Sequence, residues 1–315
     1  MNVISPILAA GSPNLSMQDR QQTIKAAIGC VGIGIHSGRR IAMKLHPAPV
    51  GHGVVFRRTD LDAELPARFD YVADTRLCTL VADPARPELR VGTTEHLMAA
   101  LAGMHVDNVL VELDGPEVPI LDGSAAPFVF LLECAGITEQ DAPRMLVEVL
   151  RPVRVQAGAA FAELRPGGAG LDLALSIEFP AAAIGKQSLA LNLAPGAFRR
   201  ELARARTFAL AQEVEQLQRA GLGRGGSLDN AVIVDGAKVL NPAGLRMKDE
   251  FVRHKLLDVI GDLALAGAAI RGRFTGHRSG HALNNRLLHA LFADPANWHG
   301  SGSPPLGPAA VPAAA

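Results

Sequence analysis

Three cysteines, no net charge and no long apolar run set the first limits on this chain. Cys30, Cys78 and Cys134 lie far apart and are odd in number, which fits neither a disulfide framework nor a thiolate zinc knuckle. Free thiols of this kind act as small hydrophobes and suit a reducing compartment. Lys plus Arg and Asp plus Glu each total 31, so no global field points to nucleic acid or to an anionic membrane surface. No window approaches the roughly 18 apolar residues of a membrane span. Residues 1–22 lack a basic leader region and are broken by Pro6, Gly11 and Pro13, unlike a secretory signal. These absences lead to the expectation of a cytoplasmic protein.

The chain does have the means to build a core: 315 residues, 48% of them hydrophobic, a length nearer two domains than one. Strand-like runs are expected at 22–28, 41–45, 53–57 and 106–113. A short helix is expected from Leu97 to Ala102, with Thr93 as its N-cap and Gly103 as its end, and a second from Pro127 to near Gly136. Gly32 to Gly38 is a glycine-punctuated turn. It has neither a GxGxxG pattern nor a Gly-Lys-Ser/Thr ending, so it is a poor phosphate loop. The polar stretch 138–144 is taken as a domain boundary. Beyond it come strands around 145–193, a helix from about 198 to 219, a glycine-rich loop, a strand at 231–234 and a helix from about 247 to 267.

Leu263-Ala264-Leu265-Ala266-Gly267 echoes Ala99-Ala100-Leu101-Ala102-Gly103, a hint of internal duplication. Strands followed by helices in each half, without regular alternation, predict an α+β fold. The expected division is an N-terminal extension at 1–21, a first α+β domain at 22–140, a second at 145–298, and a disordered Ser/Gly/Pro/Ala tail at 301–315.

The chemistry centres on the segment Arg253 to Asp262. His254, Asp258 and Asp262 recur at steps of four and so share one side of a helix. Leu256, Ile260 and Leu263 form one apolar face, whereas Phe251 and Leu265 lie on the opposite side beside the polar three, which predicts a sandwiched helix. Acidic groups held inside a protein need partners, and a divalent cation is a strong one. A solvated polar stripe is the competing reading. A catalytic zinc commonly has three protein ligands; His96 is the best third, because Glu95 beside it offers a general base.

His281 lies between small residues, and an imidazolium there could protonate a leaving amine with Asp262 orienting it, unless it is simply an exposed loop histidine. Thr207 offers a hydroxyl to an oxyanion, unless it is an ordinary helix-interior threonine. Lys255, Arg278 and Arg204 could hold a phosphate or diphosphate, unless they are simply solvated.

Several stretches occur in a telling order: Gly32 to Gly38, Thr94-Glu95-His96-Leu97, Asp107-Asn108, Pro119 to Phe128, Arg204 to Phe208, Asp249 to Lys255, Gly261-Asp262-Leu263, and Ser279 to Asn285. Together, over about residues 22 to 295, they resemble one family, the zinc-dependent UDP-3-O-acyl-N-acetylglucosamine deacetylases of lipid A biosynthesis.

That resemblance implies a metalloamidase that releases acetate from UDP-3-O-(3-hydroxyacyl)-N-acetylglucosamine. It implies Zn2+ held by His96, His254 and Asp258, with Glu95 as general base, His281 as general acid supported by Asp262, and Thr207 at the oxyanion. Lys255 and Arg278 would bind substrate. It also implies two similar two-layer sandwiches packed helices inward, and a passage for the acyl chain formed by an insert in the second domain, expected near Phe179 to Gly185. The chain is expected to act as a monomer. A related zinc hydrolase for another N-acyl sugar and a catalytically silent nucleotide-sugar binding module are the competing readings.

Overall fold

In a computed structural model, residues 20–301 are described. The expected C-terminal tail, Ser301 apart, and most of the N-terminal extension lie outside these residues. The fold is α+β, as the order of strands and helices suggests.

Two larger sheets organise the described residues. The first has the strand order Ile28–Ile33, Arg40–Pro47, Val109–Leu113, Val54–Arg58, Ala63–Pro66. It is antiparallel except where Val54–Arg58 runs parallel to Val109–Leu113. Alternation fixes its inner face: Ile41, Met43 and Leu45 are buried while their neighbours are not. The second sheet runs Val153–Ala157, Ala160–Arg165, Ala269–His277, Leu146–Val149, Trp298–Ser301. A hairpin of Leu171–Glu178 with Lys186–Asn192 joins it along Ala269–His277. Leu171, Leu173, Leu175 and Ile177 form its buried row.

The described residues form five α-helices: α1 (Glu95–Gly103), α2 (Ala126–Ala135), α3 (Ala211–Arg219), which packs on the small sheet of Phe208–Leu210 and Val232–Asp235, α4 (Glu250–Ala264) and α5 (His281–Phe292). α1 packs on α2 and on α4, and α4 also packs on α5 and on the second sheet. This explains the two-sided apolar pattern of α4, where Phe251, Leu256, Ile260 and Leu263 are all buried. None of these helices is long and apolar enough to cross a membrane.

Four local expectations change. The run 22–28 is divided between Arg20–Ile24 and Ile28–Ile33; the first of these pairs with Ile137–Pro143, a strand in the polar stretch where the boundary is expected. Thr93 is not the N-cap of α1. It sits at φ +55° and its hydroxyl donates to Glu117, so Thr94 occupies the cap position.

The helix expected over 198–219 is interrupted: one π-helical turn, Phe198–Leu202, gives way to a strand, Phe208–Leu210, before α3. Long-range pairing overrides helix propensity there. The Thr207 N–H donates to the Gly123 carbonyl and its own carbonyl accepts from Val232 N–H, each at 2.8 Å. Finally, His281 is the first residue of α5 and not part of a loop.

Candidate metal centre and its surroundings

Two helix segments bring the polar residues together. The first turn of α1 carries Glu95 and His96, and α4 carries His254, Asp258 and Asp262; all five are buried. The helices approach closely because α4 has Gly261 where it meets the Glu95 backbone. At the other end of α1, Gly103 admits the Phe198 ring.

His96, His254 and Asp258 form a group whose candidate donor atoms lie within 4.8 Å of one another. His254 Nδ1 is 3.1 Å from the Ala205 carbonyl. A carbonyl only accepts, so this nitrogen carries the proton and Nε2 presents a lone pair. That lone pair faces Asp258 Oδ1 at 3.3 Å, and His96 Nε2 lies 3.7 Å from the same oxygen. Burial favours neutral imidazoles, lowering His254 and taking His96 down to about 3, the latter helped by its His254 neighbour. Asp258 Oδ1 is buried without a hydrogen-bond donor. Facing acceptors with no proton between them suit a cation, and two imidazoles plus a carboxylate suit a divalent transition metal.

The other oxygen of Asp258 is satisfied by Lys255 Nζ at 2.6 Å. Burial opposes ionisation of Asp258, but His254 and Lys255 outweigh it and hold the carboxyl well below its usual range. Lys255 thus sits beside a candidate ligand and balances its charge.

Glu95 and His281 flank this group. Glu95 Oε2 accepts the Thr79 N–H at 3.0 Å, while Oε1 lies 3.9 Å from His281 Nε2. Burial pushes Glu95 up to about 7, opposed by His281 and reinforced by Asp258 and Asp262. His281 Nδ1 is 2.9 Å from Asp262 Oδ2. Burial penalises the imidazolium, yet Asp262 prevails through its charge and hydrogen bond, taking His281 up to about 9. A carboxyl that titrates near neutrality and an imidazole that titrates above it lie side by side.

A buried ion pair frames the entrance to α4. Glu250 accepts the side chain of Arg206 at 2.9 Å and also the backbone N–H groups of Arg206 and Arg246. It thereby locks the segment that presents the Ala205 carbonyl to His254 and places Thr207 nearby in sequence. Phe208, next along, stacks edge-on against Phe179 and Phe251, and its ring centre is 6.1 Å from that of His254.

The sequence-derived residues thus fall into two sets. His96, His254, Asp258, Glu95, His281 and Asp262 converge. Of the basic set, Lys255 is paired with Asp258, whereas Arg204 and Arg278 are exposed, the latter at φ +50°. Sequence reasoning missed Thr79, whose hydroxyl donates to Asp262 at 2.6 Å, and Asn284, whose amide donates to the same carboxylate at 2.8 Å. Asn284 lies three residues after His281 and so on a neighbouring face of α5; Thr79 has no comparable signal.

Residues 21–293 match the LpxC family, described as UDP-3-O-acyl N-acetylglycosamine deacetylase. The chain is similar to the UDP-3-O-acyl-N-acetylglucosamine deacetylase of Acidithiobacillus ferrooxidans, with 49% identity over 282 residues, 89% of this chain and 92% of that one. The protein of the same name from Idiomarina loihiensis is 46% identical over 282 residues, with the same two coverages. That from Myxococcus xanthus is 49% identical over 277 residues, 87% of each chain.

Proposed function

The chain belongs to the UDP-3-O-acyl N-acetylglycosamine deacetylase family, and we propose that it hydrolyses the N-acetyl group of UDP-3-O-(3-hydroxyacyl)-N-acetylglucosamine in lipid A biosynthesis. The products are acetate and the free amine. His96, His254 and Asp258 hold Zn2+ in this reading, supported by the unpartnered Asp258 Oδ1 between two imidazoles. Bound zinc supplies Lewis acidity to the amide carbonyl and acidifies water.

The protein's own groups supply the proton transfers. Water attacks the carbonyl carbon while Glu95 Oε1 takes its proton, Oε2 being held by Thr79. Thr207 donates to the developing oxyanion. As the C–N bond breaks, His281 Nε2 delivers a proton to nitrogen, and Asp262 keeps the ring oriented through Nδ1. Lys255 and Arg278 contact the substrate's polar part. The acyl chain runs beside Phe179 and Phe208, with half-buried Val214 and Leu217 of α3 continuing the apolar lining. Two domains, each centred on one of the larger sheets, meet across the α1–α4 contact. The enzyme acts as a cytoplasmic monomer.

The observation that carries this reading is Glu95 Oε1 and His281 Nε2 facing each other at 3.9 Å beside the three candidate ligands. Acetate release from the acylated UDP-sugar, before and after chelation and again after zinc restoration, tests it. Activity lost on chelation and regained with zinc is expected; activity indifferent to chelation rules out the metal role. Equal turnover without the 3-O-acyl chain would redirect the assignment to another N-acyl sugar.

A further inference from the structure

Glu95 and Asp262 belong to different helices and both carboxylates approach His281, so something must fix their separation and orientation. Thr79 reaches both. It is buried in the bend before the strand Leu80–Asp83. Its N–H donates to Glu95 Oε2 at 3.0 Å and its hydroxyl donates to Asp262 Oδ1 at 2.6 Å. Its carbonyl accepts from Thr94, by the N–H at 3.2 Å and the hydroxyl at 3.0 Å, which ties the bend to the start of α1. All three polar groups of Thr79 are therefore engaged, two of them by the carboxylates of Glu95 and Asp262.

We infer that Thr79 is a positioning residue that orients Glu95 and the Asp262–His281 pair toward one scissile amide. The inference rests on the roles proposed above for Glu95 and His281. By occupying Oε2, Thr79 leaves Oε1 as the Glu95 atom directed toward His281. By holding Oδ1, which His281 Nδ1 also approaches at 3.1 Å, it fixes the Asp262 carboxylate while Oδ2 receives the His281 ring at 2.9 Å and the Asn284 amide at 2.8 Å. An ionised carboxylate can only accept, so the hydroxyl proton has a fixed direction. The branched β-carbon restricts the side-chain rotamer that holds this geometry.

Thr79→Val removes the hydroxyl with little change of shape, and Thr79→Ser keeps the donor. For Val, kcat is expected to fall on the order of 10–100-fold, the range for lost outer hydrogen bonds at metal sites, with KM and bound zinc per chain preserved. Ser is expected to recover most of that loss. In nitrogen NMR of histidine-labelled enzyme without substrate, the His281 Nδ1–H signal should broaden or shift in Val and remain in Ser.

Unchanged kcat in Val, an equal loss in Ser, or a loss confined to KM or zinc content would overturn the inference. If Val does not fold, Thr79→Ala takes its place; if neither folds while Ser does, the hydroxyl serves folding and the positioning role falls. Absence of acetate release from the unaltered enzyme would sink the functional reading instead, while the imidazole signal would still report on Thr79.

Discussion

Gly261 of α4 packs directly against the backbone carbonyl of Glu95 at the start of α1, leaving no room for a β-carbon. The distance between the two proposed ligand-bearing helices is therefore set by the absence of a side chain. Gly261→Ala should destabilise the protein by about 1–3 kcal/mol, as overpacking does, and should lower kcat by displacing Glu95 and His96. Denaturant unfolding and acetate release would check this. Gly168→Ala, where a β-carbon would meet nothing, should change neither.

Glu95→Gln should preserve the fold and the metal, because the amide oxygen still accepts the Thr79 N–H. Removing the proposed base should lower kcat on the order of 10²–10⁴-fold. Metal analysis with steady-state kinetics would separate the two effects, and near-normal turnover would eliminate Glu95 as the base.

The pH profile should be bell-shaped. Glu95 must be ionised to accept a proton, so activity rises with pH through its pKa, which burial takes to about 7 without a cation. A neighbouring cation favours the carboxylate and moves this acid limb to lower pH. His281 must be protonated, so activity falls as pH passes about 9, where Asp262 holds it against burial. His281→Gln should reduce kcat and abolish the alkaline limb in kcat/KM, measured across pH.

Arg206→Met should leave the Glu250 carboxylate buried without its main cation. Breaking such a pair costs about 3–5 kcal/mol, measurable by chemical unfolding. Because the same segment places the Ala205 carbonyl on His254 Nδ1, metal affinity should weaken in the variant as well. Arg57→Met breaks a half-exposed pair with Glu64 and should cost at most about 1 kcal/mol.

Much of the α4 chemistry was legible because helical periodicity places His254, Asp258 and Asp262 together without knowledge of the rest of the chain. Their convergence with Glu95 and His96 was legible through the family resemblance. The interruption between Phe198 and α3 was not, since the strand at Phe208–Leu210 depends on partners at Gly123 and Val232. Thr93 was mistaken for a cap because composition cannot reveal a positive φ or a distant carboxylate. Thr79 escaped notice for a related reason: its importance lies in which atoms it reaches, across to Asp262, and no local spacing encodes that. The Lys255–Asp258 pair, by contrast, follows from a spacing of one turn on a single helix.

The donors His96 and His254 lie on different helices and far apart in sequence. A cation shared between them would be a clasp as well as a reagent, tethering two distant parts of the chain for as long as it stays bound. Its binding free energy would then count toward holding the folded state together. Metal scarcity would accordingly act on this enzyme twice: each molecule without metal would lose turnover, and the population would become easier to open and so more exposed to proteolysis.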